Sequence, residues 1–416
     1  MLAGCGGGEE AEVRTIRFWA MGREGEVVEQ LVPEFERRNP GIRVDVQQIP
    51  WTAAHEKLLT AYAGKATPDL AQIGNTWIPE FAAMRALAPL DDRVAASTSI
   101  RPEAYFPGIW ATNLAEGRIY GVPWYVDTRV LFYRRDLLEA AGIPRVPETW
   151  DEWRAAMARL RRSGPAERYA ILLPIDEWEQ VTVFALQNGC ELLRDGGRSG
   201  AFSSPPCRKA IEFYLGLFHD DLAPVVGNHQ IGNLYQQFAD GWFAMYITGP
   251  WNLGEFRRRL PPELQDHWAT APLPAPRGRG PGLSVAGGSS LVVFRASPRQ
   301  DAAWSFIEYL SLPETQARFY QLTGDLPARR EAWRDPALAA DERARAFAAQ
   351  LEHVAPMPRV PEWEQIAQKL WEALEPAIRG RRSAAESLAA LDREVDRILD
   401  KRRWLLDRDA AAATAP

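Results

Sequence analysis

The sequence predicts an α/β fold that consists of two successive α/β regions. Strand-like and helix-like segments alternate from residue 15 onward, which is the pattern of a sheet with helices packed on its faces. The chain has 416 residues, enough for about two to three domains. Its 46% hydrophobic and 25% charged residues are typical of a globular protein that buries a large core.

The first region shows the periodicity of strand, helix, strand, helix, strand. The short apolar run Thr15–Trp19 predicts the first strand, and an amphipathic pattern over Glu24–Arg38 predicts the first helix. Alternating apolar and polar residues over Ile42–Ile49 predict the second strand. The helix His55–Tyr62 and the strand Leu70–Ile73 complete the start of a doubly wound sheet.

The loops that follow these three strands carry the first candidate binding residues. Open α/β sheets bind ligands at the carboxyl ends of their strands. The polar and aromatic side chains at these positions are Glu24, Trp51, Asn75 and Trp77. Two alternatives stay open. Glu24 also suits the first turn of a helix, where the helix dipole favours an acid, and Trp77 also suits packing under the following helix.

The stretch from Gly117 to Trp153 predicts a passage between the two regions. Two strand-like runs, Ile119–Tyr125 and Val130–Tyr133, are separated by a single carboxylate, Asp127. A strand that ends, presents an acid beside an aromatic residue and then resumes indicates a domain crossing beside a polar site. Asp127 and Tyr125 are therefore candidate binding residues.

The second region, in the middle of the chain, also alternates between strands and helices. The pattern predicts a strand over Tyr169–Pro174 and a helix over Trp178–Gln187, with Trp178 near its start. A buried strand, Phe243–Ile247, leads into a loop that holds Trp251.

Three phrases in the sequence carry a resemblance to a known family. They are GxxYGVPxxxDTxxLxY over residues 117–133, FxxGxxAMxxxGxW over 238–251, and AWSFIEYLSLPETQARF over 303–319. Each phrase alone is weak, but together they occur in order over nearly the whole chain. They resemble the extracellular solute-binding proteins of carbohydrate ABC importers, of the maltose- and trehalose-binding type.

The resemblance implies a two-lobed periplasmic-binding-protein fold of type II. Each lobe is a mixed sheet flanked by helices, and the chain crosses between the lobes three times at a hinge. The implied division is 1–14 for a lipobox and flexible tether, 15–126 and 273–326 for the N-terminal lobe, 127–272 and 327–408 for the C-terminal lobe, and 409–416 for a disordered tail.

The resemblance also implies roles for particular residues. Trp251 stacks on a sugar ring, and Gly287 and Gly288 let a sugar approach the backbone, although both glycines also suit a tight turn. Trp178 and Arg359 complete the set of candidate ligand-binding residues. In physical terms, carboxylates accept sugar hydroxyls in charge-assisted hydrogen bonds, and aromatic rings cover the apolar face of the sugar.

The implied function is capture of a neutral α-glucoside, such as maltose, trehalose or a short maltooligosaccharide. Two lobes close over the sugar, and the closed protein delivers it to ABC permease subunits with their ATPase. An anionic ligand, such as a uronate or a phosphorylated polyol, is an alternative that needs cationic groups, and Arg23 and Arg359 are the candidates. A glycan-processing enzyme with a pair of carboxylates is a further alternative.

Other classes of protein are disfavoured by charge and by the lack of motifs. The net charge of −6 and the isoelectric point near 5.6 argue against a nucleic-acid partner. His55-Glu56 does not continue as HExxH, and the five histidines show no metal-ligand spacing. We therefore expect no metal, no cofactor and no catalytic residues, and the resemblance implies a monomer.

The three cysteines suggest an exported protein. Leu2-Ala3-Gly4-Cys5 matches the lipobox of bacterial lipoproteins, and residues 6–10 suit a flexible tether. We therefore expect a periplasmic or otherwise extracytoplasmic protein that contacts the membrane only through a lipid on Cys5. Cys190 and Cys207 are left either to form a disulfide or to remain as two buried thiols.

A Cys5→Ser variant tests the lipid anchor. When it is expressed with a complete signal peptide in a bacterial host, the wild-type protein is expected in the membrane fraction, because several acyl chains anchor a protein stably. The variant is expected in the soluble fraction. A wild-type protein that stays soluble, and whose mass shows no added lipid, contradicts the lipobox.

Overall fold

Two sheets, one of six strands and one of four, organise the protein. The structure is a computed structural model that describes residues 13–278 and 280–414. The expected lipobox with Cys5, and most of the expected tether, lie outside the described residues. No helix among the residues described combines the length and the apolar character needed to cross a bilayer.

The strands, in chain order, are β1 Arg14–Met21, β2 Ile42–Ile49, β3 Leu70–Gly74, β4 Leu114–Ala115, β5 Arg118–Ile119, β6 Val122–Asp127, β7 Val130–Arg134, β8 Tyr169–Leu172, β9 Leu193–Arg194, β10 Ser199–Gly200, β11 Phe243–Thr248, β12 Trp268–Ala271, β13 Ser284–Val285, β14 Gly287–Val293, β15 Leu326–Pro327 and β16 Val354–Ala355. The α-helices are α1 Gly22–Val28, α2 Val32–Arg38, α3 Trp51–Ala63, α4 Ile78–Ala83, α5 Asp91–Ala96, α6 Pro107–Ala111, α7 Arg135–Ala140, α8 Trp150–Ser163, α9 Trp178–Gln187, α10 Pro205–His219, α11 Leu234–Ala239, α12 Trp251–Arg259, α13 Gln300–Leu310, α14 Pro313–Thr323, α15 Pro336–Ala340, α16 Glu342–Leu351, α17 Trp363–Ile378, α18 Ala384–Ile398 and α19 Asp400–Thr414.

The two sheets belong to two lobes. The six-stranded sheet of the first lobe has the order β15-β6-β14-β3-β1-β2. In it, β1 runs parallel to β2 and β3, whereas β14 pairs antiparallel with β3 and β6. The four-stranded sheet of the second lobe has the order β12-β7-β11-β8, with a parallel pair between β11 and β8. Both sheets are mixed and flanked by helices, so the predicted two-lobed α/β fold is confirmed.

Aromatic packing holds the strands of each lobe in place. In the first lobe, Phe18 on β1 contacts Trp124 on β6 and Phe306 on α13 edge-on, with ring centroids 6.0 and 5.5 Å apart. In the second lobe, Phe132 on β7 stacks on Trp268 of β12, with ring centroids 5.8 Å apart. Such pairs contribute about 0.5–1.5 kcal/mol each beyond the area they bury.

Three local predictions differ from the structure. The predicted helix Glu24–Arg38 is divided into α1 and α2, because Pro33 lacks an N–H group and is tolerated only in the first turn of a helix. Trp251, predicted in a loop, is the first residue of α12. The disordered tail expected from residue 409 is not met over 409–414, where α19 continues to Thr414 because its alanine-rich end has high helix propensity.

The chain passes between the two sheets in three places. The first passage, between β6 and β7, is residues 128–129, and the second lies between β12 and β14. The predicted third passage is Gly324–Trp333, and within it Arg329 and Trp333 contact Tyr105 and Phe106 of the first lobe. The division of the chain into lobes, and the hinge at these passages, stay predictions.

A disulfide joins Cys190, just after α9, to Cys207 in the first turn of α10. Both residues are buried, and the hairpin of β9 and β10 lies between them in the chain. Of the two alternatives that the sequence leaves open, the structure therefore has the bridge. It closes this hairpin against the two helices of the second lobe.

The double variant Cys190→Ser/Cys207→Ser tests the contribution of this bridge to stability. A loop of 17 residues predicts a loss of about 3 kcal/mol, because the bridge restricts the unfolded chain. We expect a lower unfolding temperature for the variant than for the wild type. A reducing agent is expected to leave the unfolding temperature of the variant unchanged. Thiol titration of denatured, unreduced wild-type protein checks the bridge directly, and two free thiols from these positions rule it out.

Candidate functional site

A cavity of about 790 Å³ lies between the two sheets, where α9, α12 and α17 begin. Cavities of roughly 300–1,000 Å³ hold small ligands in proteins. Ten of the eleven residues predicted to bind a ligand line this cavity. They are Glu24, Trp51, Asn75, Trp77, Tyr125, Asp127, Trp178, Trp251, Gly287 and Gly288.

Glu24 and Tyr125 form a hydrogen-bonded group on the wall of the first lobe. The Tyr125 hydroxyl donates to Glu24 Oε1 at 2.7 Å and accepts from Gln72 Nε2 at 3.0 Å. The indole N–H of Trp51 donates to the same Glu24 oxygen at 3.4 Å. The Gln72 side chain accepts from the backbone N–H of Met21 at 2.7 Å, so the end of β1 positions the group. Glu24 therefore faces the cavity and also lies in the first turn of α1.

Asp325, directly before β15, is an acidic neighbour of Glu24 on the same wall. Burial raises the pKa of Asp325 well above its ordinary value, and the charge of Glu24 raises it further. Burial also raises the pKa of Glu24, although its hydrogen bond from Tyr125 acts in the opposite direction. These two carboxyl groups therefore hold a proton more readily than exposed acids do, and a protonated carboxyl can donate to a ligand oxygen.

Asp127, at the end of β6, is paired with a buried arginine. Arg129 Nη1 donates to Asp127 Oδ1 at 2.5 Å, and Arg129 Nη2 donates to Glu179 Oε1 at 2.9 Å. Burial would lower the pKa of Arg129, but Asp127 and Glu179 raise it above its ordinary value, so the guanidinium stays charged. The Asp127 side chain keeps 24% of its surface exposed and can still reach a ligand.

Trp251 lines the cavity and packs against Arg129. The guanidinium carbon of Arg129 is 4.8 Å from the centroid of the Trp251 ring, and the residue is 38% exposed. Gly249 lies directly beneath the ring, since a Cβ at this position would come within 1.9 Å of Trp251 Cζ3. The ring is therefore held by its neighbours and still keeps part of its surface exposed, which suits stacking on a sugar ring.

Glu177 and Glu179 flank Trp178 at the start of α9. Glu177 accepts hydrogen bonds from Asn228 Nδ2 at 2.8 Å and from Gln180 Nε2 at 2.6 Å. Burial, and then the charge of Glu179, raise the pKa of Glu177 to about 7. Burial also raises the pKa of Glu179, although the nearby guanidinium acts against it.

Gly287 and Gly288 line the cavity, and close strand pairing explains why both are glycines. A Cβ on Gly288, whose φ is +137°, would lie 2.4 Å from the carbonyl oxygen of Tyr125. A Cβ on Gly287 would lie 2.7 Å from the carbonyl oxygen of Asp127. The start of β14 therefore requires glycine to pair with the end of β6. Contact of these glycines with a sugar stays a prediction.

Asn75, Trp77 and Trp178 are held in the lining by contacts of their own. Asn75 Nδ2 donates at 3.0 Å to the backbone carbonyl of the residue that precedes β14. Trp77 packs edge-on against Trp51, with ring centroids 5.8 Å apart. Trp178 packs edge-on against Trp363, with ring centroids 5.4 Å apart. Trp77 thus both packs on a neighbour and lines the cavity, so the two alternatives left open for it coexist.

The structure does not bring Arg359 to this cavity. Its Nη1 donates instead to the backbone carbonyl of Ala111 on α6 at 3.3 Å. Arg23, the other cationic candidate, donates to the backbone carbonyl of Leu322 at 3.2 Å, also away from the lining. Among the described residues, Arg129 is the only arginine or lysine that lines the cavity.

The lining suits a ligand with many hydroxyl groups. Carboxyl groups accept hydroxyl hydrogen bonds, and tryptophan and tyrosine rings cover apolar faces. The six carboxyl groups of the lining belong to Glu24, Asp127, Glu177, Glu179, Asp325 and Glu364. No group of three or more His, Cys, Asp or Glu side chains in the described part of the chain could hold a metal ion.

Comparison with known proteins decides the family. Residues 21–317 match the family described as bacterial extracellular solute-binding protein. The chain belongs to this family. The family resemblance carried by the three sequence phrases is therefore confirmed.

Individual relatives of this solute-binding protein cover nearly its whole length. The structure of the sugar-binding protein MalE from Xanthomonas citri is similar with 51% identity and a TM-score of 0.90, covering 94% of this chain and 99% of that chain. The diacetylchitobiose-binding protein DasA of Streptomyces coelicolor is 24% identical over 88% of this chain and 87% of its own. The arabinooligosaccharide-binding protein of Halalkalibacterium halodurans is 25% identical over 80% of this chain and 76% of its own.

Five charged residues in the lining of this solute-binding protein are absent from the sequence-based candidates. Three of them lie within two residues of a predicted position, so their nearness in the sequence was the signal that could have found them. The other two come from distant segments that only the fold brings to the cavity. The five are Arg129, Glu177, Glu179, Asp325 and Glu364.

A Glu177→Gln variant tests the electrostatics of the cavity. Because the folded-state pKa is about 7 and the ordinary value is 4.5, the protonated carboxyl contributes stability that is present below pH 4.5 and lost as the pH rises through 7. We expect the free energy of unfolding of the wild type to fall more steeply over this window than that of the variant. Chemical denaturation at several pH values measures it, with the exposed Glu263→Gln as a control. Equal slopes for wild type and Glu177→Gln contradict the assignment.

Proposed function

We propose that this solute-binding protein captures a neutral α-glucoside, such as maltose, trehalose or a short maltooligosaccharide, between its two lobes. The observation that carries the proposal is the cavity lining, which combines tryptophan rings with carboxyl groups. Carboxyl groups recognise hydroxyls, and the rings cover the apolar faces of a pyranose. In this proposal Asp127 is the main hydroxyl acceptor and Trp251 the main stacking surface.

The charges of the cavity favour a neutral ligand over an anionic one. Arg129 already pairs with two carboxylates, Asp127 and Glu179, so its charge is compensated within the protein. Arg23 and Arg359, which an anionic ligand would need, contact backbone carbonyls elsewhere. An anionic sugar placed here would meet six carboxyl groups and one cation that is already paired, and like charges brought together cost several kcal/mol.

The relatives support a carbohydrate ligand. The MalE protein of Xanthomonas citri, 51% identical to this chain, is a sugar-binding protein. DasA binds diacetylchitobiose, and another relative is an arabinooligosaccharide-binding protein. These relatives take different sugars, so the α-glucoside itself rests on the cavity and on the sequence resemblance.

Capture and delivery follow from the two-lobed architecture. The cavity takes its walls from both lobes, so a rotation at the passages between them would close it over a sugar. We propose that ABC permease subunits recognise the closed form outside the cytoplasm, and that the sugar leaves unchanged. Incubation with maltooligosaccharides followed by product analysis checks the last point, since a binding protein returns them uncut.

Asp127→Asn and Trp251→Ala test the proposed roles by calorimetry with maltose, trehalose and a sugar acid. Asp127→Asn is expected to weaken both neutral sugars by about tenfold or more, because an amide accepts hydrogen bonds less strongly and leaves sugar hydroxyls unpaired. Trp251→Ala is expected to cost more than about 2 kcal/mol of binding free energy, since it removes a whole aromatic surface. For a sugar acid, Asp127→Asn is expected to tighten binding because it removes a negative charge.

Asp136→Asn is a matched control for Asp127→Asn. Asp136 pairs with Arg134, two residues before it, at the start of α7 and away from the cavity. The Asp136→Asn variant therefore loses a similar ion pair without a change in the site. Its affinity for sugars should equal that of the wild type. If Asp127→Asn binds the neutral disaccharides as well as the wild type does, the proposed site is wrong. If it improves only the sugar acid, the anionic alternative replaces the proposal.

A further inference from the structure

A second cavity, of about 1120 Å³, adjoins the proposed sugar site, and we name it the side groove. Trp178 and Glu364 line both cavities, so the two spaces meet at these side chains. The lining of the side groove includes helix α19 on the second lobe and the end of α4 on the first. Because each lobe contributes a wall to both cavities, a rotation that closes the sugar site also brings α19 and α4 closer together.

Helix α19 is attached to the second lobe through the hairpin of β9 and β10. Arg198 Nη1 donates to Asp407 Oδ1 at 2.5 Å, and Arg403 Nη1 donates to the backbone carbonyl of Arg198 at 2.8 Å. Arg403 Nη2 donates to the backbone carbonyl of Asp396 on α18 at 2.6 Å. The disulfide closes the same hairpin against α9 and α10. These contacts mean that α19 moves with the second lobe.

One face of α19 lines the side groove. Arg402, Leu405 and Leu406 have the spacing i, i+3 and i+4, which places them together on the helix surface. Both leucines are half-buried. On the first lobe, the groove is lined by Met84, which is also half-buried and whose backbone carbonyl accepts from the Tyr62 hydroxyl. Contact between these apolar side chains would remove them further from water and favour the closed form.

Two opposite charges, one from each lobe, meet at the edge of the side groove. Glu116 of the first lobe and Arg402 of α19 line both the side groove and a third cavity of about 580 Å³, so they lie where these two spaces join. Among the described residues, buried Arg402 Nε has no hydrogen-bond partner. Arg402 Nη1 lies 3.9 Å from Glu362 Oε2, too far for a hydrogen bond. Arg402 therefore has a donor that the exposed carboxylate of Glu116 could accept.

We propose that α19 is a latch that docks on the first lobe when the two lobes close over a ligand. In the closed form, Leu405 and Leu406 pack on Met84, and Arg402 pairs with Glu116. None of these residues lines the sugar site, so the latch acts on the balance between the open and closed forms and not on the ligand itself. This inference rests on the proposed function, because the latch acts only if the lobes close over a sugar.

Stopped-flow kinetics with maltose and trehalose test the apolar contact of the latch. In Leu405→Ser/Leu406→Ser, the dissociation rate constant is expected to rise about tenfold because the closed form loses this contact. The association rate constant is expected to stay within about twofold of the wild-type value, since loss of contacts made after encounter changes mainly the dissociation rate. Unfolding temperatures measured without sugar check that each variant is folded.

Glu116→Gln, Arg402→Gln and the double variant form a double-mutant cycle that tests the charged pair. Each single variant is expected to raise the dissociation rate constant about threefold, and the double variant no more than either single one, because the pair is lost only once. Single effects that multiply in the double variant would contradict the pairing. Trp404→Ala is the matched control: Trp404 is 61% exposed on α19 and does not line the side groove, so its dissociation rate should equal that of the wild type.

The outcomes separate the latch from the proposed function. If the wild type binds a sugar and Leu405→Ser/Leu406→Ser releases it at the wild-type rate, the latch is wrong and the proposed function stands. If this variant loses affinity only through slower association, α19 acts on entry of the sugar, and the latch is again wrong. If calorimetry shows that the wild type binds neither sugar, the proposed function fails and the latch fails with it.

Discussion

The arrangement of the site depends on the pairing of the buried Arg129 guanidinium with two carboxylates. Arg129 lies in the passage between β6 and β7, where it bridges a carboxylate at the end of the first sheet and a carboxylate at the start of α9. Removing one partner of such a buried group leaves an uncompensated charge, which costs about 3–5 kcal/mol. Because Trp251 also packs on this guanidinium, the proposed acceptor Asp127 and the proposed stacking surface Trp251 both contact one side chain.

Much of the fold could be predicted because its signals are local. The alternating pattern of Ile42–Ile49 and the apolar run before Trp251 correspond to β2 and β11. The predicted helix Trp178–Gln187 has the same bounds as α9. The candidates that follow β1, β2, β3 and β6 line one cavity because the ends of neighbouring strands meet at the same edge of a sheet. Trp178 and Trp251 reach the same cavity from the starts of α9 and α12 in the second lobe.

The remaining features depend on contacts that no local pattern reveals. Asp325 and Glu364 lie far along the chain from the other lining residues, and only the fold brings them to the cavity. Arg359 was a candidate from the sequence, but its side chain donates to the backbone carbonyl of Ala111 and does not line the cavity. The break between α1 and α2 was signalled by Pro33, yet the hydrophobic spacing runs through it, so periodicity alone predicts one helix.

The close approach of Gly249 to the Trp251 ring has a consequence for how this family member can diverge. Any side chain at residue 249 would occupy the space of the indole, so the two positions cannot vary independently. A lineage that replaces the tryptophan by a smaller residue becomes free to lose the glycine, whereas one that first loses the glycine displaces the ring. The order of substitutions is therefore constrained, and a tryptophan at residue 251 is easier to lose than to regain.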